Sequence, residues 1–459
     1  MTSSESPNKL TVLVSVTLGL EDLAETYLLT NGYVSKSENL QQLSRPGTAE
    51  EPVPPTGEAA IAQFLVRTSI DGARELLRAP VVQSVMAFLG ETTLEDEHIG
   101  GWSNCGWSNS TSLHDEGIVP TGALNEVYKT VRHSTYWSDA VELLGFAPKT
   151  FRASCVFSVK NPSSTKLSNP KNQTATNTTK SFDGRDVAMA MGGAVMQSQG
   201  WKVDLYHYDT ELYGFLWQNR FTCGILLGGE WRPPSQNPLD YKFSVAPFGE
   251  TLARPYPVHS RDLGLPWYMP KLRPSTALLL LLLCGVKDGD VVWDPMGGSG
   301  TIAIEAAAFF EVDAVSSDND RNTTAAAVRN VRDCRPYLRE QSTCAVRDLD
   351  ATMLHTRGGI EEGSVDRIVA DTPFGQRCRW NVSKELPLLL DSIATVLNPN
   401  TGRCVLLMKG YKRLEGLLDP NDEDAPRPLS KLRLVERRDV NVGGFLCYAL
   451  VLAHKQTPQ

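Results

Sequence analysis

Apolar and polar positions follow two different patterns in this chain, and the change falls near residue 271. Before it, short runs that alternate like strands, at residues 10–16, 61–68 and 151–159, are separated by helical stretches and polar segments. After it, strands and helices alternate regularly, which is typical of a doubly wound parallel sheet. The pattern predicts an α+β N-terminal region followed by a Rossmann-like α/β domain.

The N-terminal region contains further elements that the same periodicities indicate. Helices are predicted at residues 71–79 and 185–199, and strands at 202–208, 212–219 and 223–227. Residues 35–58 and 161–180 are rich in Ser, Thr, Asn, Pro or charged side chains and bury little, so we interpret them as flexible insertions. The stretch up to residue 270 is rich in proline and aromatic residues and is interpreted as a connector.

The α/β domain is predicted in more detail. Its strands lie at residues 291–293, 314–317, 367–370 and 404–407, and its helices at 301–310, 323–331 and 386–397. Residues 277–284 are nearly all leucine. Because this run is too short to span a bilayer, it predicts a buried helix and no membrane association.

Composition narrows the class of protein. A chain of 459 residues is long enough for two or three domains. A formal net charge of −8 argues against coating nucleic acid by bulk charge, so any RNA contact must be a local basic patch. The nine cysteines include no C-x-x-C pair and no zinc-like spacing, so we expect reduced thiols, no metal site and a location in the cytoplasm or also the nucleus. The polar N-terminal residues do not predict a signal peptide.

A glycine turn follows the first strand of the α/β domain. Glycines without side chains let the backbone approach a ligand, and the helix that follows directs its N terminus at the same place. A NAD site is the usual alternative, but the spacing Asp-Pro-x-Gly-Gly-Ser-Gly differs from G-x-G-x-x-G. The predicted cofactor loop consists of Asp294, Pro295, Gly297, Gly298, Gly300 and Thr301.

Two carboxylates follow at distances that suit a nucleoside. Asp318 ends the next strand, about twenty residues after the glycine turn, where an acidic residue contacts ribose hydroxyls. Asp320 is the alternative, and one of the two is expected to cap the following helix. Asp350 lies past a further strand and is predicted to accept from an adenine amine, with a solvated loop aspartate as the alternative.

A second motif, Asp371-Thr372-Pro373-Phe374, ends the strand at 367–370. The Asp371 carboxylate and the Thr372 carbonyl can accept hydrogens from an exocyclic amine, which turns its lone pair toward a methyl donor and stabilises the developing positive charge. Pro373 stiffens the turn, and Phe374 can stack on a base. Together the two motifs predict methyl transfer from S-adenosylmethionine to a nucleobase amine. Guanine is favoured, because its adjacent N1–H and N2–H₂ match one carboxylate, and adenine N6 remains an alternative.

Arg377, Arg379 and Trp380 follow directly and suit phosphate contact and base stacking at the rim of the site. A solvated basic loop is the alternative interpretation.

Across about two-thirds of its length, the chain resembles the THUMP-domain RNA guanine-N2 methyltransferases. The resemblance rests on Phe-Arg-Ala-Ser-Cys at 151–155, Gly-Gly-Ala-Val at 192–195, Gly-Trp-Lys-Val-Asp at 200–204, Leu-Arg-Pro-Ser-Thr at 272–276, the glycine turn, and Asp-Thr-Pro-Phe-Gly at 371–375. Gly297 stands where a cysteine is common in the family, and Thr372 where a proline or a larger apolar residue is usual.

The resemblance implies an RNA-gripping module joined to a Rossmann-like class I methyltransferase domain. It implies a region of unassigned role at 1–115, a THUMP-like RNA-binding domain at 116–235, a connector at 236–270 and the catalytic domain at 271–455. It also implies S-adenosylmethionine as cofactor, tRNA as substrate with a small nuclear RNA as the alternative, and a small zinc-binding activator subunit as partner. A catalytically degenerate RNA-binding scaffold is the remaining alternative.

Overall fold

The computed structural model describes residues 10–43, 61–94, 107–109, 118–158, 183–217, 219–229, 272–373, 380–410, 412, 414, 431–443 and 445–455. The chain forms two compact units. The first comprises Met1–Val16 and Leu29–Leu252, and the second comprises Thr17–Leu28 and Ala253–Gln459.

Strands dominate the chain up to residue 229. The strands are β1 (Leu10–Thr17), β2 (Leu40–Gln42), β3 (Ile61–Thr68), β4 (Ser84–Thr93), β5 (Trp107–Asn109), β6 (Ile118–Pro120), β7 (Thr150–Ser158), β8 (Lys202–Val203), β9 (Thr210–Trp217) and β10 (Arg220–Gly229). The helices are α1 (Glu21–Thr30), α2 (Ile70–Arg78), α3 (Ala123–Arg132), α4 (Trp137–Leu144) and α5 (Gly184–Gln199).

Eight of these strands form one sheet, in the order β2-β3-β1-β4-β10-β9-β7-β8. Its central strand β10 pairs antiparallel with both β4 and β9, while β7 pairs parallel with β9 and β8. The sheet therefore joins strands from both sides of the boundary that the sequence predicts at residue 115. That boundary stays a prediction, but the segments beside it share one hydrogen-bonded sheet.

One predicted strand is wrong. The expected strand at 202–208 stops at Val203, because the Asp204 carboxylate accepts hydrogen bonds from the backbone N–H groups of Tyr206 (2.9 Å) and His207 (2.8 Å). These bonds hold the backbone in a turn, in competition with a sheet ladder. The predicted insertion at 35–58 contains the short helix Ser37–Asn39 and β2, and its residues 44–58 lie outside the described part. The insertion at 161–180 also lies outside it.

The second unit has the alternating order that the sequence predicts. Its strands are β11 (Val291–Asp294), β12 (Asp313–Asp318), β13 (Thr343–Asp348), β14 (Arg367–Asp371), β15 (Arg403–Met408), β16 (Leu432–Val442) and β17 (Phe445–His454), and its helices are α6 (Pro274–Cys284), α7 (Thr301–Phe309), α8 (Arg321–Cys334) and α9 (Val382–Val396).

These strands form a sheet of order β13-β12-β11-β14-β15-β17-β16. The first five run parallel, and β17 and β16 are antiparallel additions. Parallel strands put their carboxyl ends at one edge, which we call the carboxyl edge. The order reverses between β11 and β14, so a ligand crevice is expected there. The predicted doubly wound, Rossmann-like class is confirmed.

The leucine run is the buried helix that the sequence predicts. Pro274 opens α6, where its missing N–H costs no helical hydrogen bond, and Gly285 ends it with a left-handed φ of 71°. Nearly all its side chains are buried. None of the helices in the described residues combines the length and hydropathy that a membrane crossing requires.

Candidate active site

The carboxyl edge of the second sheet gathers four aspartates. Asp294, Asp318, Asp348 and Asp371 are the last residues of β11, β12, β13 and β14. The strand order reverses between β11 and β14. Asp294 and Asp318 lie on one side of this point, and Asp371 lies on the other. The two sequence motifs thus meet at one crevice.

The cofactor loop after β11 is held by backbone bonds. The N–H of Gly297 donates to the Ser317 carbonyl (2.8 Å), and the N–H of Gly300 donates to the Gly297 carbonyl (2.7 Å). Gly298 and Gly300 have φ values of 52° and 85°, which side-chain-bearing residues rarely adopt. Thr301 then begins α7, so the helix N terminus faces the loop as predicted.

Gly297 is required for a different reason, namely close packing. A Cβ atom at this position would lie 1.9 Å from the Ser316 hydroxyl, in a strand of the same sheet. The buried Ser316 therefore leaves no room for the cysteine that is common at this position in the resembling family. Ser316 was not singled out from the sequence, because nothing local links residues nineteen positions apart.

Asp318 ties the cofactor loop to the next strand. Its carboxylate accepts from the backbone N–H of Gly298 (3.2 Å) and of Asp320 (2.9 Å). Burial raises its pKa, partly offset by these bonds. Asp320 takes the capping role, since its side chain accepts from Asn322 and Thr323 at the start of α8. Of these two aspartates, Asp320 is therefore the one that caps the helix.

Asp350 lies just beyond β13 and caps the short helix Ala351–Met353. Its Oδ1 accepts from both the backbone N–H (2.8 Å) and the hydroxyl (2.7 Å) of Thr352. The side chain is half-buried and fixed, which differs from a freely solvated loop aspartate. Contact with an adenine amine stays a prediction.

Asp371 is the most distinctive group at the carboxyl edge. Its Oδ1 is buried and has no hydrogen-bond partner among the described residues. Burial raises the pKa of this carboxyl from its ordinary 3.8 to about 7. A buried acceptor without a partner normally costs stability, so its presence indicates a place for a ligand donor.

Thr372 fixes the direction of the chain after Asp371. Its backbone N–H (3.0 Å) and its hydroxyl (2.9 Å) both donate to the Leu407 carbonyl in β15. The side chain is buried, and a proline here would lack both donors. The departure from the family pattern at this position therefore has a structural role. Pro373 is half-buried, and Phe374, Arg377 and Arg379 lie outside the described residues.

Trp380 is the described part of the predicted RNA-contacting group. Its ring packs against the hydrophobic cluster between α9 and the sheet, and its indole Nε1 is buried without a partner among the described residues. The residue precedes the Asn381 cap of α9, at the carboxyl edge. Its contact with RNA stays a prediction.

The carboxylates of this edge repel one another. Burial is the main cause that raises the pKa of Asp294 well above its ordinary range. The charges of Asp371 and Asp318 raise this pKa further, whereas the hydrogen bond from the Met296 N–H lowers it. A site with this negative field favours a ligand that carries positive charge. The described residues contain no group of three or more His, Cys, Asp or Glu side chains placed to hold a metal ion.

The part of the chain that contains this crevice is similar to methyltransferase domains. Residues 268–431 match the family model described as UPF0020, RMKL-like, methyltransferase domain. TrmN from Thermus thermophilus is similar over 97% of this chain and 100% of its own, with a TM-score of 0.57 and 20% identity. The putative methyltransferase SMU.472, solved with SAH, covers 99% and 100% with a TM-score of 0.55 and 12% identity. These structures share the fold.

Sequence relatives are more specific. The chain is 28% identical over 291 residues to the human (Homo sapiens) tRNA (guanine(6)-N(2))-methyltransferase THUMP3, covering 61% of this chain and 49% of that protein. It is 26% identical over 235 residues to the bovine (Bos taurus) U6 snRNA (guanine-N(2))-methyltransferase THUMPD2, covering 51% and 39%. The chain thus spans about half the length of the THUMP3 protein. The resemblance to RNA guanine-N2 methyltransferases is confirmed.

Proposed function

We propose that this protein transfers a methyl group from S-adenosylmethionine to the N2 amine of a guanosine in tRNA. The observation that carries the proposal is the buried Oδ1 of Asp371, which has no hydrogen-bond partner among the described residues and lies near the glycine turn where the strand order reverses. The relatives that act on guanine N2 support the choice of base and of substrate.

The cofactor site is assigned to the loop and strand ends around β11. We assign the methionine part to the left-handed glycines 298 and 300 and the N terminus of α7, and the ribose to Asp318. The Oδ1 of Asp350 accepts hydrogen bonds from Thr352, so we assign its Oδ2 to the adenine amine. The cofactor supplies an electrophilic methyl group on a positively charged sulfur, which suits the negative field of the three carboxylates.

Asp371 orients the amine of the base. Its ionised carboxylate accepts from N2–H and N1–H of guanine, and this turns the nitrogen lone pair toward the methyl group. As the methyl–sulfur bond of the cofactor broke and the nitrogen–methyl bond formed, positive charge would develop on the amine; the Asp371 carboxylate would stabilise this charge and accept the released N2 proton, and the thioether would leave with the cofactor. Because an aryl amine is a weak base, orientation and charge stabilisation account for the rate more than proton removal does.

We also propose a protein partner and a cellular location. By resemblance to the eukaryotic members, we assign a small zinc-binding activator subunit as partner. The seven free cysteines among the described residues suit a reducing compartment, so we place the protein in the cytoplasm and also the nucleus. Co-purification of the tagged protein followed by mass spectrometry tests the first point, and imaging of the tagged protein tests the second.

Nucleoside mass spectrometry tests the reaction. The full chain, alone and with the co-purified partner, is incubated with S-adenosylmethionine and either tRNA or U6 RNA, and an Asp371→Asn variant serves as the control. N2-methylguanosine formed on tRNA by the wild type alone supports the proposal. N2-methylguanosine formed on U6 RNA instead would reassign the substrate, and N6-methyladenosine would reassign the target base. No product under either condition would favour the scaffold alternative.

A further inference from the structure

A lysine that the sequence analysis did not single out shares the face of the sheet that carries Asp371. Asp371 pairs with Leu407 of β15, and Leu407 pairs with Ala449 of β17. Directly paired residues lie on the same face, and side chains two positions apart along a strand do too. Cys447 and Phe445, two and four residues before Ala449 in β17, therefore lie on this face. Lys409 directly follows Met408, the last residue of β15, and its ammonium lies over the Phe445 ring, so it reaches this face at the carboxyl edge.

The electrostatic surroundings of Cys447 agree with this placement. The pKa of the buried Cys447 thiol is raised to about 12, mainly by burial, further by the Asp371 charge, and is lowered in part by Lys409. One thiol thus senses both charged groups. Along the strand direction, Lys409 lies about 7 Å beyond the position of Leu407, a distance comparable to the reach of a lysine side chain.

Lys409 is oriented by an aromatic ring, and the described residues give it no acidic partner. Its ammonium lies 5.4 Å from the ring centroid of Phe445, the first residue of β17, and both side chains are exposed. No carboxylate among the described residues forms an ion pair with it. By contrast, Arg438 on the neighbouring strand β16 pairs with Asp22 and Glu436. A cation that is oriented by an aromatic ring and has no acidic partner among the described residues can bind an external anion.

We propose that Lys409, positioned by Phe445, binds a backbone phosphate of the RNA next to the target nucleotide. This inference rests on the proposed function. The carboxyl edge carries four aspartates and the chain has a net charge of −8, so a phosphate approaching Asp371 needs a local cation. The cofactor carboxylate is not the ligand, because the glycine turn follows β11 and Lys409 lies beyond Asp371 on the opposite side.

Lys409→Gln, which keeps the stem and removes the charge, tests the proposal, and Lys287→Gln is the matched control. Lys287 is an exposed lysine in the loop before β11, at the amino edge of the same sheet. For Lys409→Gln we expect the KM for a tRNA transcript to rise about fivefold to tenfold with kcat and cofactor affinity unchanged, as loss of one phosphate contact predicts. Lys409→Arg should retain most of the affinity, and Phe445→Leu should lose part of it.

The dependence of RNA binding on salt separates this role from a structural one. Fluorescence anisotropy with a labelled tRNA transcript, from 50 to 300 mM salt (roughly the range in which phosphate contacts respond), should give a slope that is smaller by about 0.7 to 0.9 for Lys409→Gln. An unchanged slope, or the same change in Lys287→Gln, would overturn the inference. Binding needs no turnover, so it reports on Lys409 even if the wild type methylates nothing, an outcome that would count against the proposed function alone.

Discussion

Replacing Asp371 with asparagine is expected to slow the reaction and to stabilise the protein at once. The amide keeps the shape of the carboxylate but loses its charge and offers a donor where the base amine also donates. Loss of one oriented charged group at a developing charge typically lowers kcat by about 10² to 10³. The change in stability has the opposite sign, because the carboxylate is buried and its Oδ1 has no partner among the described residues.

The pKa determines how stability varies with pH. The Asp371 pKa is about 7 in the folded protein against an ordinary 3.8, so between these values the folded state binds more protons than the unfolded state. The stability of the wild type therefore falls as pH rises from about 4 to about 7, and the contribution is on the order of 4 kcal/mol. The Asp371→Asn variant has no carboxyl group at this position, so its stability does not fall for this reason as the pH rises. At pH 8 its Tm should exceed that of the wild type by several degrees, and at pH 4 the two should agree.

Activity should follow the same ionisation. The carboxylate must be charged to accept two N–H groups, so kcat/KM at pH 6 should be about a tenth of its plateau above pH 8. Thermal denaturation and single-turnover methylation are measured at matched pH values, with Asp333→Asn as the control because Asp333 lies on the surface helix α8. An active Asp371→Asn variant, or one that is less stable than the wild type at pH 8, would refute this reasoning.

Three further changes test the surroundings of the site. Gly297→Ala should weaken cofactor binding in calorimetry, because its Cβ would meet the Ser316 hydroxyl, and adding Ser316→Ala should restore most of the affinity. Thr372→Val should lower the free energy of unfolding by about 1 kcal/mol through the lost hydroxyl bond, and no loss in denaturant titration would contradict this. Asp320→Ala should lower the free energy of unfolding by about 1 kcal/mol and leave cofactor affinity unchanged. Asp318→Asn should weaken cofactor affinity.

The sequence predicts the catalytic half of the protein well, and the reason is local. Each motif combines a buried strand with a change of residue type at its end, so Asp294 and Asp371 could be placed at the carboxyl edge without knowledge of the fold. The helix after the glycine turn begins at Thr301, as predicted. These features depend on residues close together in the chain, which periodicity and turn chemistry report.

Features that depend on distant residues could not be predicted. Gly297 appeared to be a glycine of the loop, yet its requirement comes from Ser316 in another strand. Strand β4 was not identified, because its position between β1 and β10 follows from long-range pairing. Lys409 is inconspicuous in the sequence, although it directly follows a buried strand. Its relevance emerges only from the pairing of three strands.

Strand β10 has a consequence for how this protein is made. It lies between β4 and β9 and closes the eight-stranded sheet, although it is the last strand of that sheet along the chain. During synthesis the earlier strands form two partial sheets, each with an open edge that can pair with other chains. Neither a fragment of 1–115 nor one of 116–235 contains a complete sheet. The sheet can therefore close only after residue 229 has left the ribosome.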